Sequence, residues 1–208
     1  SMHGTNEYPF LLEESGIFVL PITSVGLDYQ VSEERISTGI PRLDTMYDGK
    51  GYFRGSSILI SGSAGTGKTT FAAQFANNAC SNGERCLYYA FEESSSQIIR
   101  NMRSTGLDLA PHRESGLLRF VSIRPTTFGL ETHLSTMFRY IFEFKPTVVV
   151  LDPITNLISV GHPHEVKSAL IRLVDLLKSK LITSLFTSLL EYGNEFEQRQ
   201  VGVSSLMD

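Results

Sequence analysis

Cysteine is scarce in this chain. Of 208 residues only Cys80 and Cys86 carry thiols, and they flank the Ser81–Arg85 turn. No metal-ligand spacing is present, which excludes a zinc ribbon or finger, and two ordinary thiols fit a reducing cytosol. A cytoplasmic location is therefore expected. Long apolar runs are also missing: no stretch reaches the ~20 residues that span a bilayer, and none has the pattern of a secretory leader. A membrane partner is not expected. Excess charge is small, with 18 Lys+Arg against 22 Asp+Glu and a net charge of −4. That balance argues against a dedicated nucleic-acid surface. There is no repeat and no low-complexity segment. Hydrophobic residues make up 41% and charged residues 19%, which fits a folded core and excludes a disordered chain. The length suits one sizeable domain, or one domain plus a fragment.

What is present is led by Gly62-Ser63-Ala64-Gly65-Thr66-Gly67-Lys68-Thr69, a complete G-x-x-x-x-G-K-[ST] phosphate-binding loop. Its glycines let the backbone wrap closely, so that successive N–H groups can face an anion. Lys68 is expected to reach the β- and γ-phosphates of the ligand, and the Thr69 hydroxyl to ligate Mg²⁺. The expected phosphate contacts are Ser63, Ala64, Gly65, Thr66, Gly67, Lys68, Thr69 and Thr70. A merely flexible glycine turn is the bland alternative. The flanks weigh against it: Ser57–Ser61 reads as a strand, and Thr70–Ala76 opens a helix whose N-terminus favours phosphate.

From about Arg35, strands and helices alternate, the mark of an α/β fold with a mostly parallel central sheet and helices on both faces. Strands are expected at 86–91, 117–123, 147–151, 182–187 and 201–207. Helices are expected at 94–104, 129–144 and 165–180, each with apolar residues at helical spacing. Ahead of them, Tyr8–Leu12 and Ile17–Leu20 read as a β-hairpin around a Glu13–Gly16 turn.

Two further groups of residues point to chemistry. Val148-Val149-Val150-Leu151-Asp152 is an apolar strand closed by a carboxylate, the form of a Walker B strand that sets Asp152 near Mg²⁺ or its water shell. Alone, an Asp after a strand is often a cap or turn residue; downstream of a complete phosphate loop it reads as functional. Glu92-Glu93 follows the 86–91 strand, on the sheet edge expected to hold the phosphates. A carboxylate there can orient or deprotonate the nucleophile that attacks the γ-phosphate. The sequence does not separate the two, and Glu92 can also help hold the metal. Thr187-Ser188 fits either a γ-phosphate sensor or simple strand termination. His162-Pro163-His164 reads as a surface loop, and Tyr88 and Tyr89 as strand packing residues.

The ordered set of Arg35-Ile36-Ser37-Thr38-Gly39-Ile40-Pro41-Arg42-Leu43-Asp44, the phosphate loop, Phe91-Glu92-Glu93-Ser94 and Leu151-Asp152 resembles the KaiC family. These are RecA-superfamily ATPases and autokinases known from the cyanobacterial circadian clock. The match covers nearly the whole chain and is nearest to the second of two tandem domains. The resemblance implies a RecA-like P-loop fold and ATP with Mg²⁺ at an intersubunit site. It also implies self-assembly into a homohexameric ring, with possible regulatory partner proteins. Residues 1–24 would be the C-terminal tail of a preceding KaiC-like domain and a linker; residues 25–208 would be a KaiC-like ATPase domain that lacks its last strands and their Lys/Arg finger. The family's phosphoacceptor pair falls on Ser204-Ser205, with Ser where the family has Thr at the second position. The function expected is ATP binding and hydrolysis with serine/threonine autokinase activity on Ser204 or Ser205. Two alternatives stand beside it. A DNA-dependent RecA-type motor (a recombinase or helicase) would show ATPase stimulated by single-stranded DNA. A nucleotide-gated scaffold would bind ATP tightly without turnover.

Overall fold

A computed structural model describes residues 10–13, 16–19, 30–127, 129–158, 160–190 and 207. The first of the described elements form a hairpin, β1 (Phe10–Glu13) and β2 (Gly16–Val19), paired antiparallel from Phe10↔Val19 to Glu13↔Gly16. A second small ribbon joins β3 (Arg35–Ile36) to β4 (Tyr52–Phe53) across the short helix α1 (Pro41–Asp44). Two-residue strands carry too little periodicity to be read from sequence.

The main unit then runs β5 (Ser57–Gly62), α2 (Lys68–Ser81), β6 (Cys86–Ala90), α3 (Ser95–Arg103), α4 (Ala110–Glu114) and β7 (Leu118–Ser122). It continues with α5 (Leu130–Phe144), β8 (Val148–Asp152), α6 (Thr155–Ile158), α7 (Pro163–Ser179) and β9 (Thr183–Leu189). The five long strands form one parallel sheet in the order β5-β9-β8-β6-β7. This is the RecA-like α/β arrangement expected.

Side chains alternate across each strand, so the sheet splits the core in two. On one face Cys86, Tyr88, Ala90, Val148, Val150 and Leu185 pack against α2, α3 and their neighbours. On the other, Leu87, Tyr89, Val149, Leu151 and Phe186 pack against α5 and α7. Both faces are covered, which explains why the central strands read as unbroken apolar runs. Each fully buried Val, Leu or Phe among these contributes about 1.5–3 kcal/mol. Met207 lies against the second of these cores. The rest of the strand expected at 201–207 falls outside the described residues.

Helix boundaries follow local chemistry. The Ser94 hydroxyl accepts a bond from the Gln97 N–H at 3.3 Å, and the Gln97 side chain accepts one from the Ser94 N–H at 2.8 Å, a capping box that starts α3. The expected surface loop at 162–164 is instead the start of α7. His162 is the N-cap, Pro163 occupies the first turn where its missing N–H costs nothing, and the Glu165 carboxylate accepts the His162 N–H at 3.0 Å. Among the described residues no helix is long and apolar enough to cross a membrane.

Candidate nucleotide site

β5 ends at Gly62 and α2 begins at Lys68, so five residues make the whole connection. Gly65 (φ 78°) and Gly67 (φ 84°) take the left-handed conformation that L side chains rarely adopt. Gly67 is the N-cap of α2 and no side chain caps this end. The first N–H groups of the helix are therefore donors for an anion, reinforced by the helix dipole. The Lys68 ammonium donates to the Ser63 carbonyl at 2.7 Å, and the Thr66 hydroxyl donates to the same oxygen at 2.9 Å. These bonds close the loop on itself, with Ala64 to Gly67 at the surface and Thr69 and Thr70 half-buried in the first helical turn.

Parallel register brings the other candidates to this edge. Ile60 of β5 is level with Thr187 of β9, and Ala90 of β6 is level with Asp152 of β8. The strand ends are tied together: the Phe91 N–H donates to the Asp152 carbonyl at 3.0 Å, Ile154 N–H to Thr187 at 2.9 Å, and Leu190 N–H to Gly62 at 2.9 Å. Asp152 is only 6% exposed. Both its carboxylate oxygens are engaged, Oδ2 by the Tyr88 hydroxyl at 2.7 Å and Oδ1 by the Thr187 hydroxyl. Burial, and then the adjacent Asp152 charge, push the Tyr88 hydroxyl well above its usual range. It therefore stays protonated and remains a donor.

β6 stops at Ala90, one residue short of the expected 86–91, so Glu92 and Glu93 come after Phe91 on the bend that leads to the α3 cap. Glu92 is exposed. Glu93 is half-buried and accepts a bond from the Asn101 side-chain amide at 3.2 Å. The two acids are thus distinguished by their surroundings: Glu92 is exposed at the surface, while Glu93 is oriented from the second turn of α3.

Beside the loop lies an open groove of ≈ 550 Å³ whose lining includes Ile40, Pro41, Gly67, Phe71, Gly106 and Leu107. One of its walls is the 37–44 segment, held by a buried clasp. Asp44 Oδ1 accepts from the Thr38 N–H at 2.8 Å and the Thr38 hydroxyl at 2.7 Å, while Oδ2 accepts from the Ser37 hydroxyl at 2.5 Å. Burial alone would raise the Asp44 carboxyl, but these bonds outweigh it and hold the group below its usual range. From α2, Gln74 donates to the Gly39 carbonyl at 2.8 Å and Asn78 to the Ser37 carbonyl at 3.0 Å. Gly39 is required twice over: its φ is +77°, and a Cβ there would meet Asn78 Cβ at 2.7 Å.

The donor set suits a hard divalent cation. Thr69, Asp152 and Glu92 offer only oxygen, and among the described residues no cluster of three His, Cys, Asp or Glu side chains forms a self-sufficient metal centre. Mg²⁺ is commonly bound this way, by one or two carboxylates together with substrate phosphates. Ser204 and Ser205, the expected phosphoacceptors, lie outside the described residues.

From sequence Tyr88 is expected to pack only, and Thr187 to be a sensor or a strand end. In the structure Tyr88 donates to Asp152, and β9 continues two residues past Thr187. A signal was available: a tyrosine in a fully buried strand needs a partner for its hydroxyl. Adjacent tyrosines face opposite sides of the sheet. Tyr89 finds the Met137 carbonyl at 3.1 Å, which leaves Tyr88 to find its partner on the α2 side.

A phosphate loop between β5 and α2, with carboxylates at or just past the ends of the parallel strands β8 and β6, defines a P-loop domain of the RecA-like class. A family model described as "ATPase: KaiC" matches residues 36–205. The chain belongs to the KaiC family. It is 56% identical over its whole length to the circadian clock protein KaiC2 of Synechocystis sp., and 40% identical over 89% of its length to KaiC3 of the same organism. It is 37% identical over 89% of its length to the circadian clock oscillator protein KaiC of Synechococcus elongatus. The chain spans 37%, 37% and 36% of these relatives, respectively.

Proposed function

We propose that this domain binds ATP with Mg²⁺ and transfers the γ-phosphoryl group to water and, in the complete parent protein, to Ser204 or Ser205. The observation that carries this reading is the convergence of an uncapped, glycine-bent helix start, a buried carboxylate and a pair of acids on one sheet edge. Residues 63–70 take the phosphates, with Lys68 exchanging its Ser63 carbonyl for phosphate oxygens. The groove beside Gly67 and Phe71 takes the nucleoside. Thr69, Asp152 and Glu92 would hold Mg²⁺, which neutralises charge on the β- and γ-oxygens when bound. Glu93 or Glu92 accepts the proton of the attacking hydroxyl as its oxygen bonds to the γ-phosphorus. The bond to the β,γ-bridging oxygen breaks, and ADP leaves with those electrons.

Family membership supports self-association, and the reading includes a ring whose subunits share the nucleotide site. Timekeeping is not part of it. The net charge of −4 gives no support to a DNA-driven motor.

The test uses the complete parent protein with Mg-ATP, following ADP release and mapping phosphate by peptide mass spectrometry. Glu92→Gln/Glu93→Gln should retain metal-free nucleotide binding and lose turnover by about 10²-fold or more. Phosphate on Ser204 or Ser205 that disappears in this variant supports the autokinase. ADP release without protein phosphate reduces the proposal to an ATPase. Tight binding with no turnover in the unmodified protein favours a nucleotide-gated scaffold.

A further inference from the structure

We propose that Tyr88 is a positioning residue for the metal-side carboxylate, orienting Asp152 from within the core. The inference rests on the reading of Asp152 as a Mg²⁺-side group. β8 lies between β6 and β9 in the sheet. Asp152 at its end is therefore gripped from both neighbours, by Tyr88 of β6 on Oδ2 and by Thr187 of β9 on Oδ1. A carboxylate has about four lone-pair sites. Among the described residues two are taken by these donors, and the others can serve a cation or its water.

The two donors differ in what fixes them. Thr187 is a short side chain beside the site. Tyr88 holds its hydroxyl at the end of a rigid ring that is fully buried and packed against Phe120 at 5.1 Å between ring centroids. The torsion that turns a carboxylate is soft, so a fixed donor on one oxygen selects one orientation of the group. Tyr88 does so from the α2 side of the sheet, the side on which the phosphate-loop helix packs. The core that seats the loop thereby also aims the carboxylate, and nothing in this requires Tyr88 to touch nucleotide.

Mn²⁺ is the probe, titrated by electron paramagnetic resonance into the ADP complex of the complete protein. ADP affinity in EDTA and thermal melting are measured in parallel. Tyr88→Phe keeps the ring and removes the donor. It should weaken Mn²⁺ binding by about 10-fold or more, as loss of an outer partner to a metal ligand commonly does, and leave metal-free ADP affinity within about twofold. Tyr88→Leu is the second variant and should show the same loss. Asp152→Asn tests the underlying reading. If Asp152→Asn weakens Mn²⁺ binding and the Tyr88 variants do not, whatever their melting temperatures, Tyr88 is only a packing residue and the proposal fails. If Asp152→Asn itself binds Mn²⁺ normally, the assignment of Asp152 is wrong and the proposal falls with it.

Discussion

Single side chains at the phosphate loop separate binding from folding. Lys68 is half-buried, and its hydrogen bond in the structure goes to the Ser63 carbonyl. That contact is local and modest. Its expected phosphate contacts are charge-assisted and worth about 1.5–3 kcal/mol. Lys68→Ala should therefore lower affinity for a fluorescent ATP analogue by roughly 10–100-fold, while the melting temperature without nucleotide barely moves. Unchanged affinity would remove Lys68 from the phosphate site. Asp44 makes the opposite case. Its three bonds from Ser37 and Thr38 serve no ligand directly; they shape the wall of the groove beside the loop.

Between elements, one ion pair stands apart from the exposed ones. Both terminal nitrogens of Arg54, just after β4, meet both carboxylate oxygens of Glu84, just before β6, at 2.9 and 2.7 Å. The Glu84 side chain is 14% exposed. Such a paired, partly dry geometry is worth more than a surface bridge. Its hydrogen bonds with Arg54 hold the Glu84 carboxyl below the usual range, against the opposing effect of burial. The folded state therefore binds this proton less readily than the unfolded chain. The resulting stability is complete above the unfolded value of about 4.3 and disappears as pH falls through the lowered folded value. Glu84→Gln should cost ~1–2 kcal/mol at pH 7, and the gap from the unmodified protein should narrow when the pH is lowered to about 3. Urea melts at the two pH values check this; a gap independent of pH would assign the loss to packing.

For the whole molecule, the decisive strand is β9. It is the last of the five in sequence order, yet it lies between the phosphate-loop strand and the Asp152 strand. Phe186 at its centre is fully buried in the α5–α7 core. Phe186→Ala should destabilise the fold by about 3–5 kcal/mol. Because β9 separates the two halves of the site, nucleotide affinity should fall with it. A loss below about 1 kcal/mol in a denaturant melt would mean that β9 packs less tightly than described.

The local pattern of the sequence determined most of the elements. Phosphate-loop spacing, apolar strands closed by acids and helical periodicity depend on neighbours a few residues apart, and these specified the α/β class and the three segments of the candidate site. The two-residue strands β3 and β4 and the short helix α4 were not legible, because so few residues carry no period. Strand order was decided only by tertiary structure. Parallel strands are joined by long crossovers, so alternation of strand and helix does not say which strands become neighbours. The same holds for the grip on Asp152. Tyr88 lies 64 residues away in sequence and Thr187 lies 35 away, and only the parallel register that aligns the ends of β6, β8 and β9 turns three separate side chains into one hydrogen-bonded group.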